Sequence, residues 1–145
     1  IQKQIVKNPE RLVVGCIVGA SFLYRRNVYD AIGNYSQAAF LAEDYDYWLR
    51  VFARFEIAPL HENLYAYRKH EGSLASTKKA QILRAGYTVK MKNFPLIFPK
   101  LNYRSKAQAY FHLSQDAKNL GLVMESWIHH LRAFSYSVRA LIEKN

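Results

Sequence analysis

RLVVGCIVGASFLY, Arg11 to Tyr24, is the stretch whose reading decides the fold class. Its Val, Ile and Phe residues, broken by Gly15 and Gly19, predict a strand, a tight bend and a second strand formed by SFLYRR. The uncharged part, Leu12 to Tyr24, is too short to cross a bilayer and contains two glycines, so no transmembrane segment is read.

Working outward, Asn27 is the expected N-cap of a short helix, NVYDAI, which Gly33 and Asn34 stop. A polar loop, YSQAAF, follows. From Glu43 the spacing turns helical: Tyr47, Trp48, Val51, Phe52 and Phe55 form one stripe, while Asp46, Arg50 and Arg54 fall four apart on another face. EIAPLHENLYAYRKH alternates loosely around Pro59 and reads as a bent edge strand. After Ser76 the β signal ends, and three helices are expected, at about Thr77 to Asn93, Ser105 to Asn119 and Leu122 to Glu143, divided by FPLIFP and Gly121. The last two pair as an antiparallel hairpin, with Ala107, Tyr110, Leu113 and Ala117 expected to face Trp127, Leu131, Phe134 and Val138. The fold class predicted is α+β, mostly α. The two expected parts are residues 1–76 and a helical extension over 77–145.

Composition narrows the classes further. Half of the 145 residues are apolar, enough for one ordinary core and too many for a disordered tail. The single Cys16 cannot form an internal disulfide, and no Cys/His cluster has zinc-like spacing, which points to a reducing, cytoplasmic setting. The chain opens without Met and lacks the shape of a signal peptide, and is expected to be a fragment. Its formal charge of +10 is concentrated between Arg68 and Lys106, where ten Lys/Arg meet one acid. Such a stretch suits a polyanion or an anionic membrane surface; spread irregularly among apolar residues, it equally suits a solvated helix face.

The acidic stretch LAEDYDYWLR, Leu41 to Arg50, sits at the start of the expected helix. Asp44-Tyr-Asp46 has the spacing of a metal-gripping Asp-x-Asp, but helical positions two apart point about 200° from each other, so the two carboxylates should diverge. Glu43 and Asp44 suit the helix start, where unpaired N–H groups and the dipole favour negative charge. Asp46 is expected to pair with Arg50. Trp48, in the apolar stripe, is expected in the core rather than as a sugar platform.

The order of the pieces carries more than any one of them: Gly19-Ala20-Ser21-Phe-Leu-Tyr-Arg-Arg, a helix closed by Gly33, Ala-Glu43-Asp44-Tyr-Asp-Tyr-Trp-Leu-Arg, then Tyr67-Arg68-Lys-His70-Glu-Gly-Ser73. Over about Arg11 to Ser76 this resembles the acceptor-side half of family 2 glycosyltransferases of the GT-A fold. The resemblance implies an inverting transfer of sugar from a nucleotide-sugar donor to a hydroxyl of a carbohydrate or lipid-linked acceptor, as in polysaccharide or glycolipid synthesis. It implies Asp44 as the base for that hydroxyl, with Glu43 orienting the acceptor or bracing the loop. Gly19, Ala20 and Ser21 would let the acceptor approach the backbone, although Gly19 also reads as a simple bend. Arg68 and Ser73 would meet the leaving diphosphate, and His70 the metal or the diphosphate. A helix-end ion pair for Arg68 and a surface position for His70 account for those residues equally well. The nucleotide-binding half, with its Asp-x-Asp and divalent metal (Mg or Mn), has no counterpart here. The resemblance therefore implies a fragment inactive alone, needing no cofactor itself, with a tendency to form homo-oligomers, working in the cytoplasm or at the inner face of a membrane.

Two other classes remain open on sequence. A nucleic-acid binder would use the basic stretch with Tyr87, Phe94, Phe98 and Tyr103 for stacking, but no nucleic-acid module motif is present. A helical protein-interaction module would use Ser105 to Glu143.

Overall fold

The computed structural model describes residues 8–18, 22–60, 62 and 72–143. Among the described residues the regular elements are α1 (Arg26–Ile32), α2 (Glu43–Arg54), α3 (Leu74–Thr77), α4 (Lys79–Ile97), α5 (Tyr103–Asn119) and α6 (Val123–Ile142), with short 3-10 turns at Pro9–Val13, Gln37–Ala39 and Phe98–Lys100. No strand occurs among them, so the expected α+β class with short strands is overturned in favour of an all-helical fold.

The decisive stretch shows why. Pro9 pre-sets a helical φ and the Asn8 side chain accepts from the Glu10 N–H at 2.8 Å, which starts a 3-10 turn where a strand was expected. Leu12 and Val13 are fully buried. The backbone acceptors there are satisfied by side chains instead of a ladder: the Tyr45 hydroxyl donates to the Leu12 carbonyl at 2.5 Å and the Lys90 ammonium to the Val14 carbonyl at 2.8 Å. Residues 22–25 have no regular structure, yet their alternation still operates. Phe22 and Tyr24 turn onto Trp48, with ring centroids 4.8 and 6.2 Å away, while Leu23 between them is 99 % exposed. The expected edge strand fails likewise over residues 56–60, and most of its remainder lies outside the described residues.

The first helix begins at Arg26, with Arg25 in the cap position, rather than being capped by Asn27; an Arg26–Asp30 pair at 2.9 Å lies along its exposed side. Gly33 ends it as expected, in the left-handed region at φ 76°. The end carbonyls of α1 are then taken by cations from α2. Arg50 donates to the Ile32 and Asn34 carbonyls at 2.7 and 3.0 Å, and Arg54 to that of Ala31 at 2.9 Å.

Helix α2 forms the centre of the molecule. Tyr45, Tyr47, Trp48, Leu49, Val51 and Phe52 are all buried, joined by Val89, Phe94 and Ile97 of α4 and Ala109 and Leu113 of α5 in one cluster that also holds Leu12 and Val13. Helix α4 runs four residues beyond the expected stop and carries Pro95 inside it. Phe94 and Ile97 bury while Pro95 and Leu96 face out, so helical burial on one side outweighs the lost hydrogen bond on the other.

The α5–α6 hairpin is present, closed by Gly121 at φ 76° in a Schellman arrangement: the Leu122 N–H donates to the Ala117 carbonyl at 2.9 Å and the Gly121 N–H to that of Lys118 at 3.0 Å. Its α5 side is as expected, with Ala107, Leu113 and Ala117 buried, but α6 is turned over. His129 and Ala133 face inward, Ser126 donates to the Ser114 carbonyl at 2.9 Å, and Tyr136 stacks on Tyr110 at 5.6 Å. Trp127, Leu131 and Phe134, expected in the hairpin core, are about two-thirds exposed. The small and polar stripe wins because it lets the helices approach closely, with Ser126 Oγ hydrogen-bonded to Ser114 of α5 and His129 Nε2 to Tyr87 of α4.

Candidate functional site

The site gathers at the start of α2. Leu41, two residues ahead of Glu43, has φ 73°, a conformation rare for a residue with a branched side chain. Ala42 then occupies the cap position without a side-chain hydrogen bond, and Glu43, Asp44 and Asp46 fill the first turn, where the exposed N–H groups and the dipole favour them.

The three carboxylates have three fates. Asp46 is completely buried and accepts from Arg50 Nε at 2.8 Å, Asn93 Nδ2 at 3.0 Å and Lys92 Nζ at 3.2 Å. Burial alone would raise its pKa, but the bonds from Asn93, Arg50 and Lys92 outweigh that and hold the carboxyl below its ordinary range. The expected Asp46–Arg50 pair therefore forms, as a buried hub rather than on a solvated face; Lys92 and Asn93, 46 and 47 residues away, left no local signal in the sequence. Asp44 is exposed. Its Oδ1 accepts from the Tyr45 N–H at 2.7 Å, and its Oδ2 meets the Cys16 thiol at 3.5 Å. Glu43 keeps one oxygen, Oε2, buried with no hydrogen-bond partner among the described residues.

Asp44 and Asp46 thus diverge, one to solvent and one to the core, and cannot hold one ion between them. Among the described residues no group of three or more His, Cys, Asp or Glu could hold a metal. The resemblance puts the ligands of its divalent ion in the nucleotide-binding half and at His70, which lies outside the described residues.

Aromatic side chains complete the site. Tyr47, one turn along α2 from Glu43, is buried beside Tyr24. Tyr35 packs edge-on against Tyr47 with centroids 5.0 Å apart, and Tyr24 lies 6.0 Å from the same ring. Desolvation, with Tyr24, Asp44, Glu43 and Cys16 all adding, raises the Tyr35 pKa, which places its hydroxyl in the field of both carboxylates. Burial and the neighbouring Tyr24 and Tyr35 push Tyr47 up to about 12; burial and Asp44 push the Cys16 thiol up to about 12. Shifts in this direction favour the protonated form of both groups at neutral pH. Sequence reasoning missed Cys16, Tyr24, Tyr35 and Tyr47 as members of this site, since only the fold brings residues 16, 24 and 35 to the head of α2.

Of the remaining expected residues, Gly19, Ala20, Ser21, Arg68 and His70 lie outside the described residues. Ser73 precedes α3; its hydroxyl lies 2.8 Å from that of Ser76, and its carbonyl accepts from Thr77. Trp48, 4 % exposed, belongs to the core.

Three cations of the basic stretch bond within the protein, Lys90 buried and Lys92 and Lys100 at the surface, while Lys79, Arg84 and Arg104 are exposed. Lys90, 5 % exposed, bonds Asp116 at 2.8 Å as well as the Val14 carbonyl, Lys92 bonds Asp46, and Lys100 donates to the Phe52 carbonyl at 3.0 Å. Phe94 is buried, Tyr87 and Phe98 pack against the core, and Tyr87 meets His129 Nε2 at 3.0 Å. Tyr103, the fourth ring of the basic stretch, is half-buried and lies 6.1 Å from the Tyr136 ring. Among the described residues no helix is long and apolar enough to cross a membrane. No protein-family model, curated protein or solved structure matches the chain.

Proposed function

We propose that the chain supplies the acceptor side of an inverting glycosyltransferase, with the head of α2 as the acceptor site. In this reading an acceptor hydroxyl loses its proton to Asp44 Oδ2 as its oxygen bonds the anomeric carbon of a nucleotide sugar, and the nucleoside diphosphate leaves from the opposite face with the bonding electron pair. Glu43 Oε2 accepts a hydrogen bond from a second sugar hydroxyl and Tyr47 Oη donates or accepts another, while the edges of Tyr24 and Tyr35 pack on the sugar's C–H groups. The nucleotide and its divalent ion are held by residues outside this sequence.

The observation that carries the reading is Glu43 Oε2. This buried carboxylate oxygen, next in sequence to the exposed Asp44, has no partner among the described residues, and a polyhydroxylated ligand supplies the donor it lacks. The backbone at Leu41 supports it, since strain of this kind concentrates where a structure holds a functional group in place.

The test has two stages. Titrating the 145-residue chain with acceptor-type oligosaccharides should perturb the Glu43, Asp44 and Tyr47 resonances saturably, and Glu43→Gln should weaken that binding about tenfold, the loss of roughly one charge-assisted hydrogen bond. In a polypeptide that joins this chain to a nucleotide-binding half, Asp44→Asn should abolish transfer while leaving donor binding intact. Normal turnover of Asp44→Asn removes Asp44 from the base role; saccharide binding that ignores Glu43 and Tyr47 removes the site.

A further inference from the structure

The outer face of α6 is the largest feature left unused. Met124, Trp127, Leu131, Phe134, Val138 and Leu141 recur at intervals of three and four, the spacing of a coiled-coil seam sustained over the whole helix. They are between 39 % and 70 % exposed. With Ile128 and Ile142 beside them, they leave on the order of 1,000 Å² of apolar surface in contact with water, where a standard protein interface takes about 800 Å² from each partner.

The seam is also self-complementary. Reversed end for end about a point between residues 132 and 133, it places Met124 opposite Leu141 of the partner subunit, Trp127 opposite the partner's Val138, and Leu131 opposite the partner's Phe134, so large and small residues alternate along the contact. Charge selects among occupants. Of the two cations of α6 within the described residues, Arg132 reaches across to α5, over the Tyr110 ring at 5.5 Å, and Arg139 lies over the Tyr136 ring of α6 itself at 5.6 Å. The seam itself carries no cation with which to grip an anionic lipid surface, and an uncharged, self-matching face fits a second copy of this chain.

We propose that two copies pair through antiparallel α6 helices across this seam, joining the two α5–α6 hairpins into a four-helix bundle. The pairing stands apart from the acceptor site, which lies at the head of α2.

Sedimentation of the full 145-residue chain from about 1 to 100 μM should show a monomer–dimer equilibrium, and Leu131→Glu should weaken it at least a hundredfold with helical content unchanged by circular dichroism, because Leu131 is 65 % exposed in the protomer. Orientation is tested in a Cys16→Ser background. A Met124→Cys chain mixed with a Leu141→Cys chain should cross-link under mild oxidation, whereas Met124→Cys alone should not, since antiparallel pairing holds those two positions about 25 Å apart. A chain that stays monomeric throughout, a dimer indifferent to Leu131→Glu, self-cross-linking of Met124→Cys alone, or binding of the monomer to phosphatidylglycerol vesicles through α6 would each overturn the proposal.

Discussion

Helix α2 and helix α6 invert the usual expectation about polarity and burial. At the centre of the molecule α2 buries a full carboxylate, Asp46, and surrounds it with Arg50, Lys92 and Asn93; at the edge, α6 exposes its apolar seam and packs inward with His129, Ala133 and Ser126. The difference teaches that hydrophobicity alone does not choose the inner face. A buried polar group is tolerated when its hydrogen bonds are complete, and an apolar stripe can remain outside when a smaller stripe packs more closely.

Breaking the central network should have the largest effect. Asp46→Ala leaves Arg50 and Lys92 without their carboxylate and should cost about 3–5 kcal/mol of stability, read from urea unfolding. A loss under 1 kcal/mol would mean that the hub is not a structural keystone.

The hairpin's polar seam should respond to acid at intermediate size. Burial, then the neighbouring Arg132, lowers the His129 pKa against the opposing pull of Glu125. A histidine with a depressed folded pKa contributes stability that is complete above its unfolded value, about 6.5, and is lost as pH falls through the folded value. Thermal unfolding followed from pH 7.5 to 5 should therefore show a declining midpoint, and His129→Gln should flatten that slope. A slope unchanged in His129→Gln would assign the acid sensitivity elsewhere. Smallest is the outer face: Leu131→Ala, measured on monomer at low concentration, should change stability by no more than about 0.5 kcal/mol. A loss of 2 kcal/mol or more would show that this face is covered within the protomer.

What the sequence made legible was local. The span of α2 followed from its spacing, Gly33 and Gly121 marked the ends of α1 and α5, and the Asp46–Arg50 pair followed from a four-residue interval. Non-local facts were hidden. Nothing between Arg11 and Tyr24 announces that Tyr45 and Lys90 will take over the work of a neighbouring strand, so a β-rich composition read as β structure. On α6 two stripes share the helical period, and periodicity cannot say which of them meets α5. At the site, the acidic pair was visible as a motif, but the ring of tyrosines was not, because residues 24, 35 and 47 share no interval; only the turn at Gly33 and the backbone at Leu41 bring them together.

Lys90 has a consequence for the order of folding. Its ammonium ties together Val14, Asp116 and the face of Tyr45, segments separated by as many as 102 residues. The α5–α6 hairpin needs only neighbours in the chain, whereas the segment around Val14 has a single 3-10 turn of its own and relies on contacts from α2, α4 and α5. The segment around Val14 should therefore be the last to dock during refolding, and the Cys16 contact that borders Asp44 should form with it.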